Sequence, residues 1–107
     1  MPIQMSIWER RDSADRRALA EKALELCRIA KAREGMRSAR FFWYMVDTIV
    51  FLFEGEAKAL DNPGAAAPAD YARVAFEFAD MARFTLNWRL AEPRAGEESY
   101  RAAGRLK

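Results

Sequence analysis

The chain has 107 residues, of which 51% are hydrophobic and 32% are charged, and its formal net charge is +2 at pH 7. These values predict one globular domain with a modest core, and they exclude an intrinsically disordered chain. The chain has one cysteine and no histidine, which excludes Ser-His-Asp and Cys-His catalytic groups, the usual zinc sites and an internal disulfide.

The N-terminal segment, Pro2 to Glu9, alternates isoleucine and methionine with Gln4, Ser6 and Trp8. An alternation with a period of two predicts a β-strand that is buried on one side. No basic start followed by an apolar stretch is present, so we predict no signal peptide and a cytoplasmic location.

A helix is predicted from about Asp15 to Glu34, where alanine, leucine and long charged residues predominate. Asp12 or Ser13 is expected to cap its N-terminus, and Gly35 is expected to be the left-handed residue that ends it. Basic and acidic residues alternate on its outer side, which indicates a solvated surface and not a nucleic-acid-binding face. Residues spaced by three and four positions are predicted to form its buried side: Leu19, Ala23, Leu26, Cys27 and Ala30.

The run from Phe41 to Phe53 is apolar or aromatic except for Asp47 and Thr48. It is shorter than the roughly 20 apolar residues that a membrane-spanning helix needs, and Asp47 interrupts it, so we expect no membrane span. Its aromatic and β-branched residues instead predict two strands, about Arg37 to Met45 and Thr48 to Glu54.

The pairing of these two strands decides what each face of the sheet carries. With a turn at Val46-Asp47, Phe42 faces Phe51 and Trp43 faces Val50. Val-Asp is not a preferred two-residue turn, so the alternative is a longer loop or a bulge with a different register. Both faces are then apolar, although one layer of helices covers only one of them. We therefore expect the second face to meet another subunit or a ligand, and we predict a homodimer.

Gly55 to Ala69 is predicted to be a surface connection, in which Gly55 to Leu60 could form one helical turn and Asp61-Asn62-Pro63-Gly64 is a turn signal. Connections this long are often lids or mobile. A second helix is predicted from Asp70 to about Ala91, since apolar residues recur there at steps of three and four. The alternative is a fourth strand from Phe84 to Leu90, in which every second residue is apolar.

The predicted boundaries give one α+β domain over residues 1–92 and a C-terminal arm over residues 93–107. The arm is polar apart from Tyr100 and Leu106. Residues 97–105 are expected to form a short ordered helix, because their charges are spaced to pair along it. We expect this helix to contact the partner chain or the Gly55 to Ala69 connection.

The order of elements, the length and the doubly apolar hairpin make residues 2–90 resemble the ferredoxin-like domains that pair through their sheets into an α+β barrel. The antibiotic-biosynthesis monooxygenases belong to this group. The resemblance implies a β-α-β-β-α(-β) domain with both helices on one face of a small antiparallel or mixed sheet. It also implies oxygenase or cyclase activity on a small, largely apolar or aromatic molecule, without cofactor or metal.

Candidate ligand-binding residues on the first two strands are Trp8, Arg40 and Phe42. If these strands meet in a cavity, the indole, the guanidinium and the Tyr44 phenol can orient an aromatic or anionic molecule. Tyr44 and Asp47 are the candidate catalytic residues, because a phenol or a desolvated carboxylate can carry a proton. The structural alternatives are ordinary core aromatics, an edge arginine and an aspartate in a solvated turn.

Asn87, Trp88 and Arg89 become candidates through the resemblance, since cofactor-free oxygenases of that group have Trp, Asn and Arg among their pocket residues. Haem-degrading relatives supply a histidine to iron, and this chain has none. Glu54, Glu56 and Asp61 lack the spacing of a calcium loop, so we expect no metal. The competing function is a non-catalytic homodimeric interaction or assembly module, in which the aromatic residues are core or interface.

Overall fold

The computed structural model describes residues 1–90. The elements in chain order are β1 (Ile3–Arg10), α1 (Arg16–Lys31), β2 (Met36–Tyr44), β3 (Thr48–Gly55), α2 (Ala57–Asp61), α3 (Pro68–Met81) and β4 (Ala82–Leu90). The strands form one sheet in the order β2-β3-β1-β4, with every neighbouring pair antiparallel. The predicted ferredoxin-like fold class is confirmed. The sheet is not mixed, because β3 lies between the parallel strands β1 and β2.

The buried side of α1 consists of the five residues that the helical spacing predicted, and that prediction is confirmed. The cap is Asp15, whose Oδ2 accepts a hydrogen bond from the Ala18 amide at 2.9 Å. Asp12 and Ser13 do not cap the helix, because the chain turns there and the Ala14 amide donates to Arg11. Gly35 has the expected left-handed conformation, with φ of 89°.

The segment after Met81 is a strand, so the predicted continuation of the helix to about Ala91 is wrong and the alternative is right. β4 pairs with β1 from Arg10 opposite Ala82 to Ile3 opposite Leu90. Without this partner the edge of β1 would leave a row of backbone groups unpaired, and pairing satisfies them. The sheet therefore overrides a helical spacing that the sequence also satisfies.

The β2–β3 hairpin has a three-residue loop, residues 45–47, whose first residue has φ of 58°. Phe41 consequently lies opposite Phe51, and Phe42 lies opposite Val50. The two-residue turn at Val46-Asp47 does not form, and the alternative of a longer loop is right. A shift of one residue moves every side chain of a strand to the other face of the sheet.

Both α1 and α3 pack on the same face of the sheet, which we call the covered face. Its core is formed by apolar side chains of α1, β3 and α3, including Leu19, Ile49, Val74 and Phe78, all of which are at most 1% exposed. The opposite face, the open face, has no helix over it within residues 1–90. It carries apolar residues from all four strands: Met5, Ile7, Phe42, Tyr44, Val50, Leu52, Trp88 and Leu90.

None of the helices in the described part of the chain has the length and apolar character needed to cross a bilayer. The C-terminal arm, residues 93–107, and the contacts expected of residues 97–105 lie outside the described residues, and they stay predictions.

Candidate ligand-binding cleft

A cleft opens between the covered face of the sheet and the helices. Its mouth has a volume of about 370 Å³, and a smaller inner space has a volume of about 100 Å³. The two spaces are adjacent and share five lining residues: Ser6, Trp8, Phe51, Phe53 and Tyr71. We refer to both together as the cleft.

Aromatic rings form the inner wall of the cleft. The ring of Trp8 meets Phe78 at a centroid distance of 5.0 Å and Phe84 at 5.4 Å, both edge to face. Phe51 packs on Phe78 in the same manner, at 5.3 Å. Edge-to-face packing is the favoured arrangement of neighbouring aromatic rings, so these side chains support one another in fixed positions. The inner wall is therefore a preformed apolar surface.

Four polar side chains form a hydrogen-bonded chain across the mouth. Arg89 donates through Nη1 to Oδ1 of Asp61 at 2.6 Å and through Nε to Oε1 of Gln4 at 2.8 Å. The side-chain amide of Gln4 donates in turn to Oδ1 of Asn87. α2, β4 and β1 supply these groups, and only the folded chain brings them together.

The donor and acceptor of each hydrogen bond in this network follow from the chemistry of arginine. A guanidinium can only donate hydrogen bonds, so Gln4 must present its oxygen to Arg89. The NH₂ group of Gln4 then faces Asn87, which must accept with its own oxygen. The NH₂ group of Asn87 donates to no side chain or backbone group within residues 1–90. Asn87 thus offers hydrogen-bond donors beside the aromatic wall.

The wall of the mouth opposite β4 comes from the connection after β3. This segment forms α2 and two turns, and Ala59 and Leu60 of α2 are buried in the core. Gly64 is buried against the ring of Tyr71, so closely that a Cβ atom there would lie 2.4 Å from Cγ of that ring. The connection therefore packs as one wall of the cleft.

Tyr71 brings a phenol into the cleft. Burial raises the pKa of this phenol, and the neighbouring Cys27 raises it further. Tyr71 is therefore protonated at neutral pH, where it can donate a hydrogen bond but cannot act as a base. Burial also raises the pKa of the Cys27 thiol to about 12, which makes it an inert core residue.

The structure places three of the candidate residues in the cleft: Trp8, Asn87 and Arg89. The candidates Arg40, Phe42 and Trp88 lie on the open face. The guanidinium of Arg40 stands over the ring of Phe42, with its central carbon 5.6 Å from the ring centroid. The expected cavity between these residues and Trp8 does not form, because the hairpin pairs one residue out of the predicted register.

Tyr44 and Asp47, the candidate catalytic residues, also lie outside the cleft. Tyr44 lines a separate hollow of about 300 Å³ on the open face, together with Ile7, Val50 and others. Asp47 lies in the hairpin loop, where its Oδ1 accepts hydrogen bonds from Nη2 of Arg10 at 2.8 Å and from Nε at 3.0 Å. Its contacts therefore join the hairpin loop to the end of β1.

Gln4, Asp61 and Tyr71 line the cleft although the sequence did not mark them as ligand-binding candidates. Alternation along β1 placed Gln4 beside Trp8, which was a usable signal. The sequence marked Asp61 as a turn residue and a poor cation ligand, and in the structure it pairs with Arg89. Within residues 1–90, no three carboxylate, cysteine or histidine side chains are arranged to hold a metal ion.

Comparison with known proteins adds evidence about the fold. No protein-family profile matches the chain, and no curated protein matches it significantly. Rv0793 from Mycobacterium tuberculosis matches with a TM-score of 0.68 at 18% identity, over 86% of this chain and 95% of that one. The structure of an antibiotic biosynthesis monooxygenase matches with a TM-score of 0.67 at 16% identity, over 86% of this chain and 96% of that one.

SnoaB, a cofactor-independent oxygenase from Streptomyces nogalater, matches with a TM-score of 0.71 at 6% identity, over 85% of this chain and 91% of that one. Similarity at these identities establishes the fold and leaves the activity to the site. The chain therefore has the ferredoxin-like α+β fold that these structures share, which confirms the fold that its element order indicated.

Proposed function

We propose that the chain binds a small, largely apolar or aromatic molecule in the cleft and transforms it without a metal, in an oxygenase or cyclase step. The observation that supports this proposal is the combination of a preformed aromatic inner wall with convergent polar groups at the mouth. Ligand sites commonly combine a mainly apolar lining with a few polar groups that fix orientation. The likeness in fold to a cofactor-independent oxygenase is consistent with the proposal.

The cleft residues have separate roles in this proposal. Trp8 and the phenylalanines contact the apolar body of the ligand, while the Asn87 amide donates a hydrogen bond to a ligand oxygen. Tyr71 adds a second donor, because its raised pKa keeps the phenol protonated. Such a cleft supplies orientation and hydrogen bonds. In an oxygenase step the reduced, electron-rich substrate itself would therefore provide the electrons that reduce dioxygen. Tyr44 and Asp47 have no role here, since they lie outside the cleft.

Binding can be located with the indole N–H signals of the three tryptophans in an NMR titration. With 2-naphthol as the probe, we expect the Trp8 signal to move, because Trp8 lines the cleft. The Trp88 signal is the internal control, since that residue lies on the open face. Trp8→Phe and Trp88→Phe variants assign the two signals. A stationary Trp8 signal at millimolar probe, or a larger shift at Trp88, would contradict the proposal.

The transformation needs its own measurement. We expect oxygen consumption in the presence of an electron-rich aromatic ligand that binds the cleft. The rate should be unchanged after dialysis against EDTA, because no side-chain cluster within residues 1–90 fits a metal. An Asn87→Ala variant should lower the rate by about tenfold or more, as expected for losing a hydrogen bond to the reacting molecule. Loss of activity on metal removal would disprove the metal-free mechanism.

A second function, homodimeric assembly, is favoured by the open face. Phe42 is 46% exposed, Tyr44 62% and Trp88 50%. A contiguous apolar face of this kind is unusual on a monomer and is typical of an interface. We propose that a second copy of the chain covers it about a two-fold axis, so that the same face is used by both copies. This assembly leaves the cleft accessible, because the cleft lies on the covered face.

Assembly is tested by placing one charge on the open face. Val50→Glu or Leu52→Glu should convert a dimer into monomer or aggregate, since an unpaired charge cannot be buried in an apolar interface without a large cost. Arg28→Glu is the matched control, because it changes an exposed residue of α1 and should leave the dimer intact. Light scattering that finds a folded wild-type monomer at micromolar concentration would disprove the assembly.

A further inference from the structure

Asp61 and Arg89 are the charged side chains among the residues that line the cleft. They form an ion pair with 2.6 Å between Nη1 of Arg89 and Oδ1 of Asp61. The remaining polar lining groups are amides, hydroxyls and an indole. The charges at the mouth therefore cancel, although the guanidinium taken alone would attract anions.

We propose that Asp61 makes the cleft selective for uncharged ligands by occupying Arg89. This inference deepens the proposed function and rests on it, because it assumes that the cleft binds an aromatic molecule. A guanidinium binds carboxylates and phenolates strongly when its donors are available. Here Nη1 is engaged by Asp61 and Nε by Gln4. An anionic ligand either displaces Asp61 from Nη1 or binds the remaining guanidinium donors, and in both positions it lies close to the negative charge of Asp61.

A neutral ligand avoids this competition. Its oxygen can accept from the NH₂ group of Asn87, which donates to no other group within residues 1–90. Nε of Arg89 keeps its hydrogen bond to Gln4 while such a ligand binds, and Gln4 in turn keeps Asn87 oriented. The residue that determines selectivity is therefore Asp61, and Asn87 contacts the selected ligand.

Solvent limits the size of the effect. The side chain of Asp61 is 65% exposed and that of Arg89 is 35% exposed. Water and salt weaken the interaction between charges with this exposure. We therefore expect a difference in affinity of about three- to tenfold between matched neutral and anionic ligands, not a complete exclusion of anions.

The test compares 2-naphthamide with 2-naphthoate by isothermal titration calorimetry at neutral pH. The two probes share one ring system and differ in charge. Wild type should bind the amide about three- to tenfold more tightly than the carboxylate. Asp61→Asn should improve carboxylate binding by a similar factor and change amide binding by less than about twofold. Asp61→Ser should behave in the same way, with the folded state of each variant checked by circular dichroism.

Two further variants separate local from general effects. Asp12→Asn removes one negative charge from an exposed residue beyond the far end of β1, and it should change neither affinity. The double variant Asp61→Asn with Arg89→Gln should lose the gain in carboxylate binding, because that gain requires the guanidinium. Equal carboxylate binding by wild type and Asp61→Asn, or an equal gain in Asp12→Asn, would overturn the inference alone. Absence of binding for both probes in every variant would overturn the proposed function together with the inference.

Discussion

The Gly64→Ala substitution tests whether the connection after β3 is a packed wall of the cleft. Gly64 does not have a positive φ, so alanine can adopt its backbone conformation without strain. In a mobile loop this change would stabilise the protein by about 0.4–1 kcal/mol, because alanine restricts the unfolded chain. The sign of the effect is therefore decided by what the new methyl group meets.

That methyl group would lie 2.4 Å from Cγ of Tyr71 and 2.5 Å from its Cβ. Real Cβ atoms do not approach other heavy atoms closer than 3.0 Å. The Cβ of Tyr71 is fixed to helix α3, so the turn carrying Gly64 must shift. Overpacking of this kind costs about 1–3 kcal/mol, which exceeds the entropic gain. We expect a net loss of about 1–2 kcal/mol and a melting temperature lower by roughly 4–15 °C.

The assay is urea unfolding followed by far-ultraviolet circular dichroism at one protein concentration. Ala66→Gly, an exposed change in the same connection, is the control and reports the entropic effect without a clash. It should cost less than about 1 kcal/mol. A Gly64→Ala variant as stable as wild type, or more stable, would refute the packed wall and favour a mobile lid.

Three other predictions concern residues outside the cleft. Asp47→Asn should lower the free energy of unfolding by at most about 1 kcal/mol, because the Arg10–Asp47 pair is partly exposed. The same substitution should leave ligand affinity unchanged. A large loss of activity with unchanged stability would instead indicate a catalytic aspartate. The Cys27 thiol, with its pKa raised to about 12, should react with iodoacetamide at pH 8 at least about a hundredfold more slowly in the folded protein than in urea, and equal rates would contradict its burial. Because the folded state keeps this proton where the unfolded chain loses it, stability should fall as the pH rises from about 9 towards 12, and Cys27→Ala should reduce that fall.

Much of the fold was predictable because its signals are local. The buried side of α1 follows from the spacing of Leu19, Ala23 and Leu26, which repeats with the helical period. The first three strands follow from alternation and from β-branched and aromatic content. The two apolar faces of the hairpin were also evident, because a strand exposes alternate residues whatever its partner.

The fourth strand was not decided by the sequence, since residues 82–90 satisfy both a helical and an alternating pattern. Pairing with β1 resolves the ambiguity, and this pairing joins residues as far apart in the sequence as Ile3 and Leu90. Local sequence signals do not decide the hairpin register either. A three-residue loop instead of a two-residue turn exchanges the faces of Phe41 and Phe42, and local propensities do not distinguish the two loops well.

The cleft depends on tertiary structure for a related reason. The hydrogen bond from Arg89 to Gln4 joins residues 85 positions apart, and the bond from Arg89 to Asp61 spans 28. The sequence by itself determined which residues are apolar, which segments can form strands or helices, and which catalytic chemistries lack their residues. The tertiary structure decided which polar groups meet beside the aromatic wall, because long-range strand pairing sets the face on which each side chain lies.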